Sequence, residues 1–320
     1  MKNFLVVGGA GYIGSEFCRY LLSKGEHVTC LDNFTYNNSS SIKFLKKKKN
    51  FKLINQDIRK IKKIINFDAV VIFAGLVGDP ITKKYQKLSH SINIIGIKKI
   101  INYFKNKKIR LVYISTCSNY GYLKNGIADE KTRLSPKSIY AKQKVLVEKY
   151  LLSLKNRSLF SPVILRFSTA FGLSSRPRFD LTINEFVLYA LLNKTLKIYD
   201  YETWRPYCHV KDFCIVTYKI LSLTDFNSYE VYNVGSKANN LRKIDIAKKI
   251  KKHLPRFKYE IVNSSIDPRN YRVDFNKISK IIGKQKFISV DEGITEIINF
   301  MKKKKKLEKF IKCGNFKIKL

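Results

Sequence analysis

Short apolar runs alternate with amphipathic stretches through the first half of the chain, which is the pattern of a parallel sheet covered by helices on both faces. The runs predict strands at 3–8, 27–32, 51–55, 69–74, 110–115 and 162–167. The stretches between them predict helices at 12–24, 59–65, 84–106 and 137–155. Strands and helices that alternate in this way indicate a doubly wound α/β fold.

The second half of the chain is less regular and predicts a smaller lobe. A loop with Arg and Pro at 174–178 precedes a predicted helix at 181–193 and a short strand at 196–199. The apolar run at 229–234 predicts a further strand that rejoins the main sheet. We therefore expect one domain over residues 1–170, with a return of the chain near 206–235, and a mainly substrate-binding α/β lobe over 171–320.

The chain is strongly basic, yet its charge distribution does not indicate a nucleic-acid-binding protein. Lysine and arginine number 63 against 24 aspartate and glutamate, which gives a formal net charge of +39. The lysines are spread over the whole chain beside many Ile and Asn residues, so neither nucleic acid nor a membrane surface is expected as a partner. A general positive field instead favours an anionic substrate.

The six cysteines lie far apart, with neither a Cys-x-x-Cys pair nor the His/Cys spacing of a metal site: Cys18, Cys30, Cys117, Cys208, Cys214 and Cys313. Scattered thiols suit the reducing cytoplasm, where we expect the protein, and no bound metal is expected. Glycines interrupt the apolar stretch at 4–7, and no later segment is long enough to cross a bilayer. Neither a signal peptide nor a membrane span is therefore expected.

A glycine-rich turn joins the first predicted strand to the first helix. Gly8, Gly11 and Gly14 have G-x-x-G-x-x-G spacing. Gly8 permits the tight turn, Gly11 lets the backbone approach a pyrophosphate, and Gly14 lets the helix pack closely on the strand. The pyrophosphate is expected at the positive N-terminal end of the helix, beside Tyr12 and Ile13.

The ends of the following strands supply further cofactor contacts. Asp32 lies 18 residues after Gly14, where a carboxylate accepts hydrogen bonds from the adenosine ribose. Asn33 and Phe34 follow it, not Arg or Lys, so NAD is expected rather than NADP. Residues after the third strand and at the end of the fourth complete the groove: Asp57, Ile58, Phe73, Ala74 and Gly75. Together these features predict a Rossmann-like NAD-binding domain.

A tyrosine and a lysine four residues apart supply the candidate chemistry. Tyr140 and Lys144 lie in the predicted helix 137–155, where this spacing puts both side chains on one face. An ammonium stabilises a phenolate, so we expect Lys144 to depress the pKa of Tyr140 and make it a general base toward a hydroxyl. The hydroxyl-rich loop at 115–121 either hydrogen-bonds the reacting oxygen or reflects the frequency of Ser and Thr at strand ends.

This ordered combination resembles the extended short-chain dehydrogenases/reductases, and among them the nucleotide-sugar epimerase/dehydratase branch that includes UDP-glucose 4-epimerase. The resemblance runs over nearly the whole chain. It implies that Thr116 orients the sugar hydroxyl, that Tyr140 is the base, and that Lys144 holds the nicotinamide ribose. It also places Ser115 and Asn93 among the cofactor-binding residues, with Asn93 on a helix that supports the active site.

In the second half, the resemblance implies contacts to a nucleotide-diphosphate sugar. Arg205 falls in an Arg-x-Tyr-x-His-Val segment whose arginine binds the diphosphate, and Arg269 or Arg272 is the expected second basic clamp. The alternative is that these arginines are surface charges. The implied substrate-binding residues are Thr116, Thr169, Asp180, Leu181, Arg205 and Arg269.

The resemblance also implies a homodimer, formed through the predicted helices 84–106 and 137–155. His209 is expected to be a structural hydrogen-bonding group rather than a base. Trp204 is either a packing residue or a platform for a nucleobase.

The residues after Thr116 narrow the reaction. Sugar 4,6-dehydratases of this family have an acidic pair where this chain has Cys117 and Ser118, so dehydration is disfavoured. The sequence predicts an NAD-dependent epimerase of a nucleotide-activated sugar, acting at C4 through a transient keto sugar with Tyr140 as acid/base. The alternatives are an NAD(P)-dependent 4-keto reductase or a dehydratase of the same family, and a non-catalytic NAD-binding protein. Cys117 is either an acid/base beside the ketone or a packed, inert thiol.

Overall fold

The main sheet of the protein has seven parallel strands. The computed structural model describes residues 1–61, 66–124, 126–224, 228–263, 267 and 269–319. The strands of this sheet are β1 (Asn3–Val7), β2 (His27–Asp32), β3 (Phe51–Asn55), β4 (Ala69–Ile72), β5 (Arg110–Thr116), β6 (Ser161–Phe167) and, further along the chain, β10 (Glu230–Val234). Their spatial order is β10-β6-β5-β4-β1-β2-β3. All six strands predicted in the first half are present, and the doubly wound α/β fold is confirmed.

Helices cover both faces of this sheet and bury its apolar side chains. In the first half they are α1 (Tyr12–Ser23), α2 (Asp79–Lys84), α3 (Gln86–His90), α4 (Ile97–Phe104) and α5 (Ile139–Leu152). Phe17 of α1 belongs to the core on one face, and Ile101 of α4 and Val147 of α5 belong to the core on the other. Because both faces are covered, the strands are almost entirely apolar, as in the buried run of β4.

Two of the predicted helices differ from the structure. The long helix predicted at 84–106 starts earlier, at Asp79, and is interrupted. Tyr85 leaves the helical conformation (φ −120°, ψ 58°) between α2 and α3, and a π-helical turn at Ser91–Gly96 separates α3 from α4. The prediction of a helix at 59–65 is wrong for residues 59–61, which form the end of a turn and the irregular segment after it. Its remaining residues, 62–65, lie outside the described residues.

The second half of the chain builds a smaller lobe with its own apolar core. The elements of this half, besides β10, are β7 (Thr169–Phe171), α6 (Thr182–Leu191), β8 (Leu196–Tyr199), β9 (Trp204–His209), α7 (Val210–Ser222), β11 (Asn240–Arg242), α8 (Lys243–His253), β12 (Tyr259–Val262), α9 (Asn276–Ile282) and α10 (Val290–Lys302), of which α7 and α9 pack into the core of the main sheet. They include two small sheets, β11-β9-β7 and β12-β8. Helix α7 returns to the main sheet and packs on α1, and β10 pairs in parallel with β6.

None of the helices in the described part of the chain has the length and apolar composition that a bilayer crossing needs. All six cysteines are free thiols, five of them buried. Among the described residues, no three His, Cys, Asp or Glu side chains are grouped so that they could hold a metal ion.

Candidate active site

A cavity of about 530 Å³ lies at the carboxyl ends of the parallel strands, between the main sheet and the smaller lobe. Open α/β sheets bind their ligands at this edge. The cavity is lined by nearly all of the residues that the sequence predicted for the site: Gly8, Gly11, Tyr12, Ile13, Gly14, Asp32, Asn33, Asp57, Ile58, Phe73, Ala74, Gly75, Ser115, Thr116, Tyr140, Lys144, Thr169, Asp180, Leu181, Arg205 and Arg269. Asn93 is the predicted site residue that does not line it.

The glycine turn between β1 and α1 leaves no room for side chains. Gly8 has a φ of +81°, and a Cβ there would lie 2.6 Å from the backbone nitrogen of Ala74. A Cβ on Gly14 would lie 2.2 Å from the carbonyl oxygen of Gly8. The N-terminal end of α1 therefore forms a cradle of backbone groups that carries no side chains at these glycines. Such a cradle fits the pyrophosphate of NAD, which bare N–H groups and the helix dipole bind.

Asp32 holds the loops around this cradle with both of its oxygens. Its Oδ2 accepts a hydrogen bond from the backbone N–H of Ala10 (3.0 Å), and its Oδ1 accepts one from Phe34 (2.8 Å). Burial raises the pKa of Asp32, and these two hydrogen bonds act against that rise. Each carboxylate oxygen can accept a second hydrogen bond, so the group still fits a ribose hydroxyl.

The carboxylate of Asp57 already accepts hydrogen bonds from neighbouring side chains, which the sequence did not indicate. Arg59 forms a bidentate ion pair with it, with distances of 2.9 Å from Nε to Oδ1 and 2.6 Å from Nη2 to Oδ2, and Asn33 adds a hydrogen bond of 3.2 Å. The hydrogen bond from Arg59 lowers the pKa of Asp57. Its carboxylate therefore stays ionised at the rim of the cavity.

Asn93 lies behind the cavity wall rather than in it. Its Oδ1 accepts from the N–H of Leu76 (2.7 Å), and its Nδ2 donates to the carbonyl of Leu76 (2.9 Å) and to Gln143 (2.8 Å). The assignment of Asn93 as a cofactor-binding residue is corrected accordingly. Its position in the π-helical turn lets it hold the backbone after Gly75, which does line the cavity.

Tyr140 and Lys144 lie in the cavity on one face of α5, as their spacing predicts. Lys144 is 3% exposed, and its Nζ donates to the carbonyl of Ile114 (2.6 Å) and lies 5.8 Å from the centre of the Tyr140 ring. Burial lowers the pKa of Lys144 to about 7, against the opposing charge of Glu148. Burial also raises the pKa of Tyr140, and the Asp79 carboxylate adds to the rise.

The expected depression of the Tyr140 pKa by Lys144 is therefore not found in this structure. The physical reason is the low polarity around the phenol, which penalises the phenolate. The ammonium of Lys144 is also occupied by a backbone carbonyl. A positively charged group next to Tyr140 is needed to bring its pKa down.

A buried ion pair that the sequence did not reveal lies beside the loop after β5. Glu148 of α5 and Arg166 of β6 lie 2.7 Å apart, at 2% and 5% side-chain exposure. The hydroxyl of Ser115 donates to Glu148, and the Nδ2 of Asn119 does so at 2.8 Å. The Ser115 hydroxyl thus fixes the loop, although the residue also lines the cavity.

Thr116 and Ser118 belong to a turn that lines the same cavity as Tyr140. The Oγ1 of Thr116 accepts from the N–H of Ser118 (3.1 Å), and the Ser118 hydroxyl shares a hydrogen bond with that of Tyr271 (3.2 Å). Cys117 points away from the cavity, because its thiol donates to the carbonyl of Arg166 (3.2 Å), and burial raises its pKa to about 12. These contacts favour the packed, inert thiol over the acid/base role.

Two arginines of the smaller lobe meet around one carboxylate on the other side of the cavity. Nη2 of Arg205 lies 3.0 Å from Oδ2 of Asp267, and Nη2 of Arg269 lies 2.7 Å from the same oxygen. Nη1 of Arg269 also reaches Asp79 at 2.9 Å. Although burial acts to raise it, the hydrogen bond from Arg269 and the charge of Arg205 hold the pKa of Asp267 below its usual range.

Near these arginines along the chain, Trp204, His209 and Arg272 make packing and hydrogen-bond contacts and do not line the cavity. Arg272 lies over the ring of Trp204, 5.4 Å from its centre, and neither residue lines the cavity. His209 is fully buried, with Nε2 2.7 Å from Glu296 and Nδ1 accepting from the N–H of Lys211. Arg269 rather than Arg272 is thus the candidate for the second basic clamp.

Several residues that line the cavity were missed by the sequence analysis: Asp79, Arg176, Arg178, Lys243, Asp267 and Asn315. Arg178 forms a bidentate ion pair with Asp180, with distances of 2.5 Å from Nε to Oδ1 and 2.7 Å from Nη2 to Oδ2. The only available signal was the departure from a lysine-rich background, which made the Arg-containing loop at 174–178 conspicuous without assigning it to the site.

Comparisons with known proteins agree with this geometry. A family model described as the NAD dependent epimerase/dehydratase family matches residues 4–235. Among curated proteins, a UDP-glucuronate 4-epimerase of Thermodesulfobacterium geofontis (strain OPF15) is 27% identical, and the alignment covers 98% of this chain and 100% of that protein.

Two solved structures show the same fold. A UDP-glucuronic acid 4-epimerase from Bacillus cereus in complex with NAD is 25% identical, with a TM-score of 0.82 and coverage of 94% of this chain and 98% of that one. A dTDP-glucose 4,6-dehydratase from Bacillus anthracis str. Ames in complex with NAD is also 25% identical, with a TM-score of 0.80 and coverage of 97% and 100%. The resemblance inferred from the glycine turn and the Tyr140/Lys144 pair is confirmed, and the chain belongs to the NAD-dependent epimerase/dehydratase family.

Proposed function

We propose that the protein epimerises a nucleotide-activated sugar at C4, with NAD as its cofactor. The observation that carries the proposal is that one cavity contains the glycine turn, the Tyr140/Lys144 pair and the Arg205/Arg269 pair. The names of the relatives, UDP-glucuronate 4-epimerase and UDP-glucuronic acid 4-epimerase, support both the reaction and a UDP-sugar as substrate.

Tyr140 moves the proton in this proposal. With its pKa lowered by a neighbouring positive charge, the phenolate of Tyr140 takes the proton of the sugar O4 while the carbinol is oxidised, and the resulting phenol returns that proton when the ketone is reduced on its other face. The hydroxyl of Thr116 orients the same sugar oxygen, and Lys144 is held beside the phenol by the Ile114 carbonyl. NAD, when bound, supplies the hydride acceptor and the hydride donor, so no net redox change results.

Arg205 and Arg269 bind the diphosphate of the substrate. Guanidinium groups match phosphate oxygens in planar, two-pronged hydrogen bonds. Asp267 holds both arginines toward one point, which pre-organises them and reduces the ordering cost of binding.

The loop after Thr116 argues against dehydration. A dehydratase needs an acid and a base beside the sugar C5 and C6. Here the Cys117 thiol donates a hydrogen bond to the backbone carbonyl of Arg166, and the hydroxyl of Ser118 shares a hydrogen bond with the hydroxyl of Tyr271. The proposed reaction therefore ends with the return of the hydride to the keto sugar.

The first test is the fate of a panel of UDP-, GDP-, CDP- and dTDP-sugars incubated with the purified protein. We expect one of them to interconvert with its C4 epimer, without net formation of NADH. Tyr140→Phe should lower kcat by about 10²-fold or more, because it removes the proton acceptor. The affinity for NAD, measured by calorimetry, should stay nearly unchanged.

The exposed Tyr122 provides the control, since Tyr122→Phe changes a phenol that does not line the cavity. Net consumption of added NAD(P)H would show a reductase instead. Full turnover by the Tyr140→Phe variant would exclude the assigned base, and a panel left wholly unchanged would favour a non-catalytic NAD-binding protein.

The proposal includes a homodimer formed through α4 and α5. Ile95, in the π-helical turn just before α4, is 55% exposed, and Leu146 of α5 is 50% exposed, although both are large and apolar. We expect a dimer in sedimentation velocity and a shift toward monomer for Leu146→Glu, because a charge cannot be buried there without a partner. Lys248→Glu, at an exposed position of α8 outside the proposed interface, should leave the dimer intact. A monomeric wild type would contradict the expectation.

A further inference from the structure

The loop that leaves β7 is fastened to the first turn of α1. The carbonyl of Gly172 accepts from the Tyr12 hydroxyl (2.7 Å), and the Ser174 hydroxyl donates to the carbonyl of Tyr12 (2.6 Å). The N–H of Ser175 donates to Glu16 (2.8 Å). A loop of the second half of the chain is therefore fixed to the helix end that forms the cofactor cradle.

Arg176 extends from this loop into the cavity as a buried cation. It is 8% exposed and lies over the ring of Tyr36, with its guanidinium carbon 4.6 Å from the ring centre. Its Nη2 donates to Oδ1 of Asn315 (2.7 Å), a neutral acceptor. Arg178, two residues on, is paired with Asp180, whereas Arg176 forms no ion pair with any described carboxylate.

The environment of Arg176 calls for an anion. A buried charge without a partner is costly, and the cost falls when an oppositely charged ligand binds. Burial and the repulsion of Arg178 lower the pKa of Arg176 to about 10, so the group is still a cation at neutral pH. The cavity thus offers one full positive charge that the described side chains around it do not neutralise by direct contact.

Asn315 fixes the position of Arg176. Besides accepting from Arg176, it donates through Nδ2 to the carbonyl of Val77 (2.7 Å) and through its backbone N–H to Oδ2 of Asp180 (3.0 Å). It is 7% exposed. Four residues later, the N–H of Lys319 donates to the carbonyl of Thr35 (2.7 Å). Residues 314–319, the C-terminal segment, therefore join the smaller lobe to the loops after β2 and β4.

Two anionic groups enter a site of this family, the pyrophosphate of the cofactor and the diphosphate of the substrate. Arg205 and Arg269 meet around Asp267 and serve the second. Arg176 instead lies on the loop fixed to α1, stacks over the ring of Tyr36, and is acted on by the charge of Asp32. Its neighbours are thus those of the adenosine side of the cavity.

We infer that Arg176 binds the pyrophosphate of NAD and that Asn315 is the positioning residue that holds it there, which makes the C-terminal segment a part of the cofactor site. The inference rests on the cofactor and is independent of the reaction proposed above. It predicts that NAD is held from two sides, by the backbone of the glycine turn and by a guanidinium of the second half of the chain.

The test is the dissociation constant of NAD, measured by calorimetry without any nucleotide sugar, on cofactor-free protein. Arg176→Gln should raise it by about 10-fold or more, since hydrogen bonds to charged groups contribute about 1.5–3 kcal/mol. Asn315→Ala should raise it by a smaller factor, and Arg176→Lys should restore part of the affinity lost in Arg176→Gln. Thermal unfolding of each variant establishes that it is folded.

Two matched controls isolate the effect. Arg19→Gln removes an exposed arginine that contacts Ser175 of the same loop from outside the cavity. Lys317→Ala changes an exposed residue of the C-terminal segment. Both should leave the NAD dissociation constant within about twofold.

Unchanged NAD affinity in Arg176→Gln would overturn the inference. A loss confined to the affinity for the nucleotide sugar would also overturn it, because Arg176 would then serve the substrate diphosphate. Either result would leave the proposed epimerisation standing, since NAD binding is measured here without turnover.

Discussion

At the scale of single residues, Lys144 places an ammonium group in a buried environment with little water. The Ile114 carbonyl and the face of the Tyr113 ring, whose centre is 4.8 Å from Nζ, favour the cation. Burial acts against it and brings the pKa to about 7. The lysine is therefore close to its titration point at neutral pH.

This pKa has a consequence for stability. Lys144 has a pKa of about 7 in the folded protein against an ordinary value of 10.5, so between these values the unfolded chain binds more protons than the folded one. The free energy of unfolding should therefore rise with pH from about 7 to about 10, by at most about 1.4 kcal/mol per pH unit from this group. Lys144→Met removes this contribution, and its stability relative to wild type should fall steadily over the same window.

Urea denaturation at a series of pH values measures the difference. Lys142→Met, at an exposed position two residues before Lys144 in the same helix, is the control and should show a flat difference from wild type. A flat difference for Lys144→Met as well would mean that the buried lysine keeps an ordinary pKa.

The positions of site residues could be predicted where the chemistry lies in a local motif. The glycine turn, Asp32 and the Tyr140/Lys144 pair are such cases, and each was placed in the cavity as expected. Contacts between distant parts of the chain could not be predicted. Glu148 and Arg166 are 18 residues apart, and Arg176 and Asn315 are 139 apart, so no spacing rule connects them.

At the scale of elements, strands were easier to predict than helices. Each strand of the main sheet is a short apolar run, because both faces are buried, and this signal is local. The helix predicted at 84–106 was wrong in its continuity, since the apolar periodicity after β4 continues through a break at Tyr85 and a π-helical turn. A π-helical turn adds a residue without changing the composition. Its position matters, because it places Asn93 against Leu76.

At the scale of the whole molecule, the charge of the cavity differs from that of the chain. The chain has a formal net charge of +39. Among the described residues that line the cavity, six basic side chains face six acidic ones: Lys144, Arg176, Arg178, Arg205, Lys243 and Arg269, against Asp32, Asp57, Asp79, Asp180, Glu185 and Asp267. Long-range attraction of an anionic substrate therefore comes from the surface, while the cavity holds it by directed hydrogen bonds.

The rate of substrate binding should accordingly depend on salt. We expect the association rate constant of the nucleotide sugar, measured by stopped-flow fluorescence, to fall by roughly 10-fold between about 20 mM and about 300 mM NaCl. The dissociation rate should change far less, because the direct contacts are shielded from solvent. A neutral osmolyte at matched osmolarity is the control, and an association rate that ignores salt would show that the surface charge does not guide the substrate.

The pairing of β10 with β6 sets an order of events during synthesis. More than sixty residues separate the two strands along the chain, and they build much of the smaller lobe. The main sheet cannot reach its full width until residue 234 has left the ribosome. Until then the backbone of β6 presents an unpaired edge, and an apolar edge of this kind is a site for wrong pairing with other chains. The cofactor-binding half is thus one strand short of its complete sheet until the chain beyond the smaller lobe's first elements has been made.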